Sequence, residues 1–242
     1  MIAAALIPAA GRGQRMGLAI EKQFLQLGGK PLLAYTLARF EAVPIIDRIV
    51  VIVPSGRETF CHQEIVVPEG LHKVTHIVAG AETRQGSVMA GFSCLGEDVD
   101  VVVIHDGARP FVPPAVIQAA VDAALADGSA VAAIPESDTL KRVSRAGAVI
   151  ETVDRRNLWR AQTPQAFRRA ILQRALAYAT EHNLVATDEA SLIEWLAWPV
   201  RIFPGSIWNF KITSPDDLVL AELLLGQHAK ADNTLQDLRG HR

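Results

Sequence analysis

A chain of 242 residues, 50% hydrophobic and 21% charged, has the composition of a globular protein with a sizeable core, which excludes the disordered and fibrous classes. Its 24 Lys and Arg against 26 Asp and Glu leave a net charge of −2, so no global field draws it to nucleic acid or to an anionic membrane, and neither is an expected partner. Any anion site must be a local cluster.

The first predicted element is a buried strand over Ala3–Ile7. In MIAAALIPAAGRGQRMG the apolar residues precede the arginines, the reverse of a secretory signal, and the run is too short to span a bilayer. A helix is predicted over Pro31–Val43, strands over Ile49–Val53 and Val74–Val78, a helix over Gly86–Leu95, a strand over Val101–Ile104, a helix over Pro114–Ala126 and a strand over Val131–Ile134. Runs of Val and Ile without polar alternation are strands buried on both faces, and helices with apolar residues every three or four positions cover them.

Thr139–Val153 interrupts that order, because two β-prone runs flank the turn-forming Ser144-Arg145-Ala146-Gly147. A hairpin arm over about residues 137–156 is predicted, too small to be stable alone in water and so expected to pack on something else, such as another subunit. A helix over Arg168–His182, a helix start at Thr187-Asp188-Glu189, a strand over Val200–Phe203 and a helix over Pro215–Leu225 follow. Ser214 is the expected N-cap of the last helix, with Pro215 at its first position. The alternation predicts an α/β fold: a doubly wound, mostly parallel sheet with a protruding β-hairpin arm, in a single domain over 1–226. The polar tail, 227–242, is expected to be poorly ordered. Cys61 and Cys94 form no CxxC pair, so neither a disulfide framework nor a zinc site is indicated, and a reducing cytoplasm is the expected location.

In an open parallel sheet, ligands collect outside the carboxyl ends of the strands, which points to the loops there. After the first strand, Pro8–Gly17 is rich in Gly and Ala, whose small side chains let main-chain N–H groups approach an anion. Arg12, Arg15 and Lys22 add charge that can gather a polyphosphate, although solvated arginines on an ordinary turn would look the same. Neither GxGxxG nor GxxxxGK[ST] is present, which speaks against a nicotinamide-dependent oxidoreductase. His105-Asp106-Gly107-Ala108-Arg109 ends the fourth strand and reads either as a functional cluster or as a structural network in which His105 and Arg109 satisfy Asp106. No second carboxylate lies at metal-ligand spacing. Arg84 and Ser87 share a face at a helix N-terminus and suit contact with a nucleotide, while capping alone would explain Ser87 or Thr83. Position alone does not decide whether Lys211, just before the last helix, is functional or merely exposed.

PAAGRGQRM with EKQ, AGAETRQGSV, HDGARP, DTLKR, TVDRRNLWRAQTPQAF, ATDEAS and NFKITSPDDL, in that order from about Ala4 to Leu225, resemble the 2-C-methyl-D-erythritol 4-phosphate cytidylyltransferase family of the non-mevalonate isoprenoid pathway. The resemblance implies a Rossmann-like fold of the nucleotide-diphospho-sugar transferase type. It also implies transfer of CMP from CTP to a polyol phosphate, Mg²⁺ held mainly by the CTP phosphates with no protein metal ligand, and a homodimer whose arms complete each other's sites. Carried over residue by residue, Ala9, Ala10, Gly11 and Gly13 match the loop that wraps CTP, and Arg15, Lys22 and Lys211 match the catalytic cations. Gly80, Ala81, Arg84 and Ser87 fall in the cytosine-recognising segment. Asp106 and Ala108 match ribose and substrate contacts, with Arg109 supporting them. Thr163 and Thr187 match substrate-phosphate contacts of the same subunit, and Thr139 and Arg155 those supplied by the partner's arm.

Two positions depart from the family pattern. Glu21 stands where Pro is usual, which predicts a less rigid turn and a carboxylate neighbour for Lys22, and Trp208 replaces a common acidic residue. A ribitol 5-phosphate cytidylyltransferase shares the fold, the nucleotide loop and the arm, and is the alternative. A non-catalytic CTP-binding regulatory protein is a further one, opposed by the retention of Arg15, Lys22 and Lys211.

Overall fold

The computed structural model describes residues 1–11 and 21–226. The readings placed on Arg12, Gly13, Arg15 and the tail lie outside these residues.

A seven-stranded sheet is assembled from β1 (Ala3–Pro8), β4 (Arg48–Val53), β5 (Val74–Ala79), β6 (Val101–Ile104), β7 (Ser129–Pro135), β10 (Trp159–Arg168) and β11 (Arg201–Pro204), in the spatial order β11-β7-β10-β6-β1-β4-β5. β1 pairs in parallel with both β4 and β6, β4 with β5, and β7 with β11. β10 runs antiparallel between β6 and β7. Short strands β2 (Gln26–Leu27) and β3 (Lys30–Pro31) make a small ribbon of their own.

Because side chains alternate along a strand, β1 feeds two cores. Ala3, Ala5 and Ile7 pack with Leu37 and Phe40 of α1 (Leu32–Glu41) and with Ile117 and Val121 of α4 (Pro114–Asp127). On the other face, Ala4 and Leu6 meet Val88 of α3 (Arg84–Phe92), Leu172 and Leu176 of α5 (Arg169–Glu181) and Leu192 of α6 (Glu189–Trp195). Both faces are thus covered by helices, as the doubly wound pattern requires. A short helix, α2 (Glu58–Cys61), follows β4. The last helix, α7 (215–226), helps cover a third cluster that joins Leu27, Phe111, Ile212 and Ala221. Its cap is as expected, since the Ser214 hydroxyl accepts the Asp217 N–H at 3.3 Å.

The predicted hairpin is present as β8 (Leu140–Val143) and β9 (Val149–Val153), a separate antiparallel pair. Gly147 closes its turn at φ +80, a conformation that glycine adopts without steric cost. Val143, Val149 and Ile150 on the arm are all more than half exposed.

β10 has no counterpart among the predicted strands. Its interior carries Gln162, Thr163 and Gln165 where a buried strand usually carries Val or Ile, and register with β7 shifts between Ala161 and Gln165, around Pro164. The strand is nonetheless buried because distant groups satisfy those polar side chains. Gln162 bonds Ser206 and Asn209, and Gln165 bonds Asp188 and the Ala190 N–H.

Candidate active site

The carboxyl ends of β1, β4, β5 and β6 open into one cleft of about 900 Å³. Main-chain bonds hold its floor together: the Ala9 N–H donates to Ile52 O at 2.7 Å and the Gly80 N–H to Val53 O at 2.7 Å. At Gly80 a side chain would place its Cβ only 2.2 Å from the Ala10 Cβ, so the approach of these two loops demands glycine there. Among the described residues, a Cβ on Gly11 would meet nothing within 4 Å.

Of the residues the sequence singled out, Ala9, Ala10, Gly11, Lys22, Gly80 and Ala81 line this cleft, as do Arg84, Ser87, Asp106, Ala108 and Lys211. They come from five separate segments. Thr83 is the N-cap of α3, accepting the Gly86 N–H at 3.0 Å. Ser87 instead fixes the 80–83 turn, its hydroxyl accepting the Ala81 N–H at 3.0 Å and donating to Thr83 O at 2.9 Å.

Asp106 anchors the electrostatics. Its carboxylate lies 2.9 Å from Lys211 Nζ and 3.4 Å from both Arg84 and Arg109. Burial alone would push the Asp106 carboxyl up, but Lys211, then Arg84 and Arg109, outweigh it and hold the group well below the usual carboxylate range. Arg84 also reaches both oxygens of the buried Glu189 at 2.5 Å. Burial pushes Glu189 up against that attraction. Three cations face two carboxylates in this buried network, which leaves an excess of positive charge at the floor. Lys211 is placed by the chain as well as by Asp106, because the next residue, Ile212, donates its N–H to Ala108 O at 2.9 Å.

His105 is not a partner of Asp106. Its Nε2 lies 3.2 Å from Arg109 O, a group that can only accept, so Nε2 carries the proton and Nδ1 accepts from the Thr163 hydroxyl at 3.1 Å. Burial holds this imidazole neutral, with its pKa lowered to about 4. The Thr163 hydroxyl also accepts the Asp106 N–H at 3.0 Å. Its one proton is therefore committed to His105, and what Thr163 does in this arrangement is hold Asp106. Arg109 is buried behind the floor and donates to Asn209 O at 2.7 Å.

The remaining candidates stand apart from the cleft. Thr187 is exposed just before Asp188, the N-cap of α6. Thr139 and Arg155 are exposed at the base of the arm, where Arg155 donates to Ser137 O. Trp208 is 54% exposed and brings no carboxylate to the turn it occupies. The sequence reading missed Glu189, whose only signal was an acid at a helix start. It also missed Pro54 and Ser55, which line the cleft directly after β4, where the rule about strand ends would have found them. Glu21, the carboxylate expected beside Lys22, is held by Arg57 at 3.0 and 3.1 Å. Among the described residues no group of three or more His, Cys, Asp or Glu could hold a metal ion.

An open, mostly parallel sheet that gathers small-residue loops and lysines over a buried cationic floor defines an α/β protein of the nucleotidyltransferase kind. The profile of the family described as IspD, 2-C-methyl-D-erythritol 4-phosphate cytidylyltransferase, matches residues 3–227. The chain is 47% identical over 221 residues to the 2-C-methyl-D-erythritol 4-phosphate cytidylyltransferase of Syntrophotalea carbinolica, covering 91% of this chain and 94% of that one. The crystal structure of the Thermus thermophilus enzyme of the same name is similar with a TM-score of 0.77 at 36% identity, over 93% of this chain and 98% of that one. The 4-diphosphocytidyl-2C-methyl-D-erythritol synthase of Anaerococcus prevotii gives a TM-score of 0.81 at 26% identity, over 93% and 96%. The chain belongs to the 2-C-methyl-D-erythritol 4-phosphate cytidylyltransferase family.

Proposed function

We propose that the chain transfers CMP from CTP to 2-C-methyl-D-erythritol 4-phosphate, giving 4-diphosphocytidyl-2-C-methyl-D-erythritol and pyrophosphate, in the cleft above Asp106. Convergence carries this reading: the loops after β1, β5 and β6, with Lys22 and Lys211, each read as part of one nucleotide site, line one cleft. Ala9, Ala10, Gly11 and the loop through Gly13 wrap the triphosphate. Gly80, Ala81 and Ser87 shape a base pocket with little room for a purine, and Arg84 braces it from Glu189 and Asp106. Asp106 and Ala108 face the ribose and the acceptor.

A phosphate oxygen of the acceptor attacks the α-phosphorus of CTP in line, forming one P–O bond as the bond to pyrophosphate breaks. Both reactants are anions, so the site must supply positive charge where charge accumulates. Lys22 and Lys211, with Arg15, serve that end, and Asp106 aims Lys211. The nucleophile has a second pKa of about 6 and is ionised at neutral pH, so no general base is needed. The buried neutral His105 agrees with that.

Mg²⁺ travels with the triphosphate in this reading. Asp106, the buried carboxylate that lines the cleft, is already ringed by three cations, so the described residues do not form a cage for a dication. When bound, the ion would neutralise phosphate charge.

Arg109, Thr163 and Thr187 organise the acceptor side within one subunit, with Thr163 acting through Asp106. Thr139 and Arg155 act in the partner's site of a homodimer. The exposed apolar residues of the arm support such exchange, because a hairpin of this size is marginal alone in water. The reaction is placed in the cytoplasm, where the free Cys61 and Cys94 would remain reduced. No helix among the described residues is long and apolar enough to cross a membrane.

Pyrophosphate release with CTP, Mg²⁺ and each polyol phosphate in turn tests the reading. Methylerythritol phosphate should be the fast acceptor and ATP a poor donor. Faster turnover with ribitol 5-phosphate would transfer the assignment to that acceptor, and comparable rates with ATP would remove the base pocket from Gly80, Ala81 and Ser87.

A further inference from the structure

Lys22 sits in a single 3₁₀ turn, Lys22–Phe24, closed by the Phe24 N–H on Glu21 O at 2.9 Å and the Leu25 N–H on Lys22 O at 3.1 Å. One turn of this kind has little stability of its own, so what it docks against decides where the lysine points. It docks against α1, where Phe24 is buried in the cluster that holds Leu33 and Leu37, and against the segment that follows β4. Phe24 meets Phe60 edge to face with ring centroids 5.1 Å apart, and Arg57 lies over the same Phe60 ring at 5.8 Å. Arg57 then reaches back to grip Glu21, with Nε at 3.0 Å and a terminal nitrogen at 3.1 Å from the two carboxylate oxygens. This fork geometry fixes orientation as well as distance. The Arg57 hydrogen bond is the main cause that holds the Glu21 carboxyl below its ordinary range.

We propose that the Glu21–Arg57 pair is the positioning device for Lys22, clasping the turn that carries the lysine onto the wall of the nucleotide cleft and making turnover sensitive to salt. Glu21 has φ −61 and ψ 129, a backbone that proline adopts without strain. The ion pair thus does here by charge what a proline would do by its ring. The two devices differ in one observable respect. A covalent ring is indifferent to ionic strength, whereas this pair is partly exposed, with Glu21 at 25% and Arg57 at 46%, and is screened by added salt.

The inference rests on the reading that Lys22 acts on the triphosphate, and the experiment separates the two. At saturating CTP and methylerythritol phosphate, Glu21→Ala and Arg57→Ala should each lower kcat about threefold to tenfold, because a misplaced cation loses transition-state contact. KM for both substrates should stay within about twofold, and Tm within about 3 °C, as for other exposed pairs. Glu21→Pro should restore kcat to within about twofold of the original chain and keep more of its rate as KCl is raised. In the Glu21→Pro background, Arg57→Ala should then change nothing. Unchanged kcat in Glu21→Ala overturns the clasp, as does failure of Glu21→Pro to recover activity while folded, or an undiminished effect of Arg57→Ala in the Glu21→Pro background. Lys22→Ala is the control: if it keeps its rate, the assignment of Lys22 fails, and if it loses its rate while Glu21→Ala does not, only the clasp fails.

Discussion

At the floor of the cleft, Arg84 bonds Glu189 across 105 positions of chain and Arg109 bonds Asn209 across 100. In the hairpin arm, Lys141 bonds Thr152, Arg142 bonds Glu151 and Arg155 bonds Ser137, the last across 18 positions. The floor is buried and closes only when most of the sheet has formed, so its charges belong to the folding equilibrium as well as to the site. The arm closes on itself in solvent, where ion pairs contribute little. Changes at the floor should therefore damage stability and activity together, and changes in the arm should damage activity alone.

Asp106→Asn is the severest test of the first half. It keeps the shape and removes the charge that Lys211, Arg84 and Arg109 share. Breaking a buried pair from one side costs about 3–5 kcal/mol, so the denaturant midpoint should fall sharply and pyrophosphate release should collapse with it. A normal midpoint with lost activity would make the floor a site without structural weight.

Lys211→Ala comes next, because Lys211 is half-buried and leaves Asp106 with two guanidinium partners. Loss of one preorganised group at developing charge lowers kcat by about 10²–10³-fold, or about 3–4 kcal/mol, with a smaller change in CTP binding. Unchanged kcat would show that the charge develops elsewhere.

The floor should also reveal itself to pH. His105 is fully buried, with a folded pKa of about 4 against an ordinary 6.5. Between these values the unfolded chain binds a proton that the folded one refuses, so stability falls as pH drops from 6.5 to about 4. The loss totals about 3 kcal/mol. Asp106 works in a different window, because its stabilisation is present above the ordinary aspartate value and is lost only below it. Unfolding free energies from pH 7 to 4.5 should show this slope, and His105→Gln should flatten it. An unchanged slope in the variant would mean that another group carries it.

These contrasts also explain what was legible in the sequence. β1, β4, β6 and β7 could be read because apolar runs of Ala, Leu, Val and Ile advertise burial on both faces. The runs at β5 and β11, read as strands in the same way, lie at the two edges of the sheet, where none of β5 is fully buried and only Phe203 of β11 is. The arm could be read because its turn and both strands are local. β10 could not, since the partners of Gln162 and Gln165 lie at Ser206, Asn209, Asp188 and Ala190, and nothing local marks those amides as satisfied. The same holds within the site. Local sequence put Arg84 on a helix face turned to a ligand, whereas its grip on Glu189 depends on a second helix entering from far along the chain. His105 beside Asp106 suggested a network between them, and the fold instead gave the imidazole to Thr163 and Arg109 O.

The arm supplies the smallest effect and the cleanest geometric test. Arg155→Ala removes an exposed guanidinium whose bond within its own chain is to Ser137 O. Tm should therefore stay where it was. If Arg155 reaches the acceptor phosphate in a partner's cleft, its loss removes a charge-assisted bond worth about 1.5–3 kcal/mol, and KM for the polyol phosphate should rise far more than KM for CTP. Lys22→Ala disables the half of the site that stays within its own subunit. In a mixed dimer of the two variants, one site then carries both defects and the other carries neither. Random exchange makes about half the dimers mixed, so roughly a quarter of all sites should regain full activity. Pyrophosphate release measured before and after exchange, with subunit mixing confirmed by mass, decides the matter. Recovery places Arg155 across the dimer. No recovery after confirmed mixing returns it to its own chain and reduces the arm to a structural appendage.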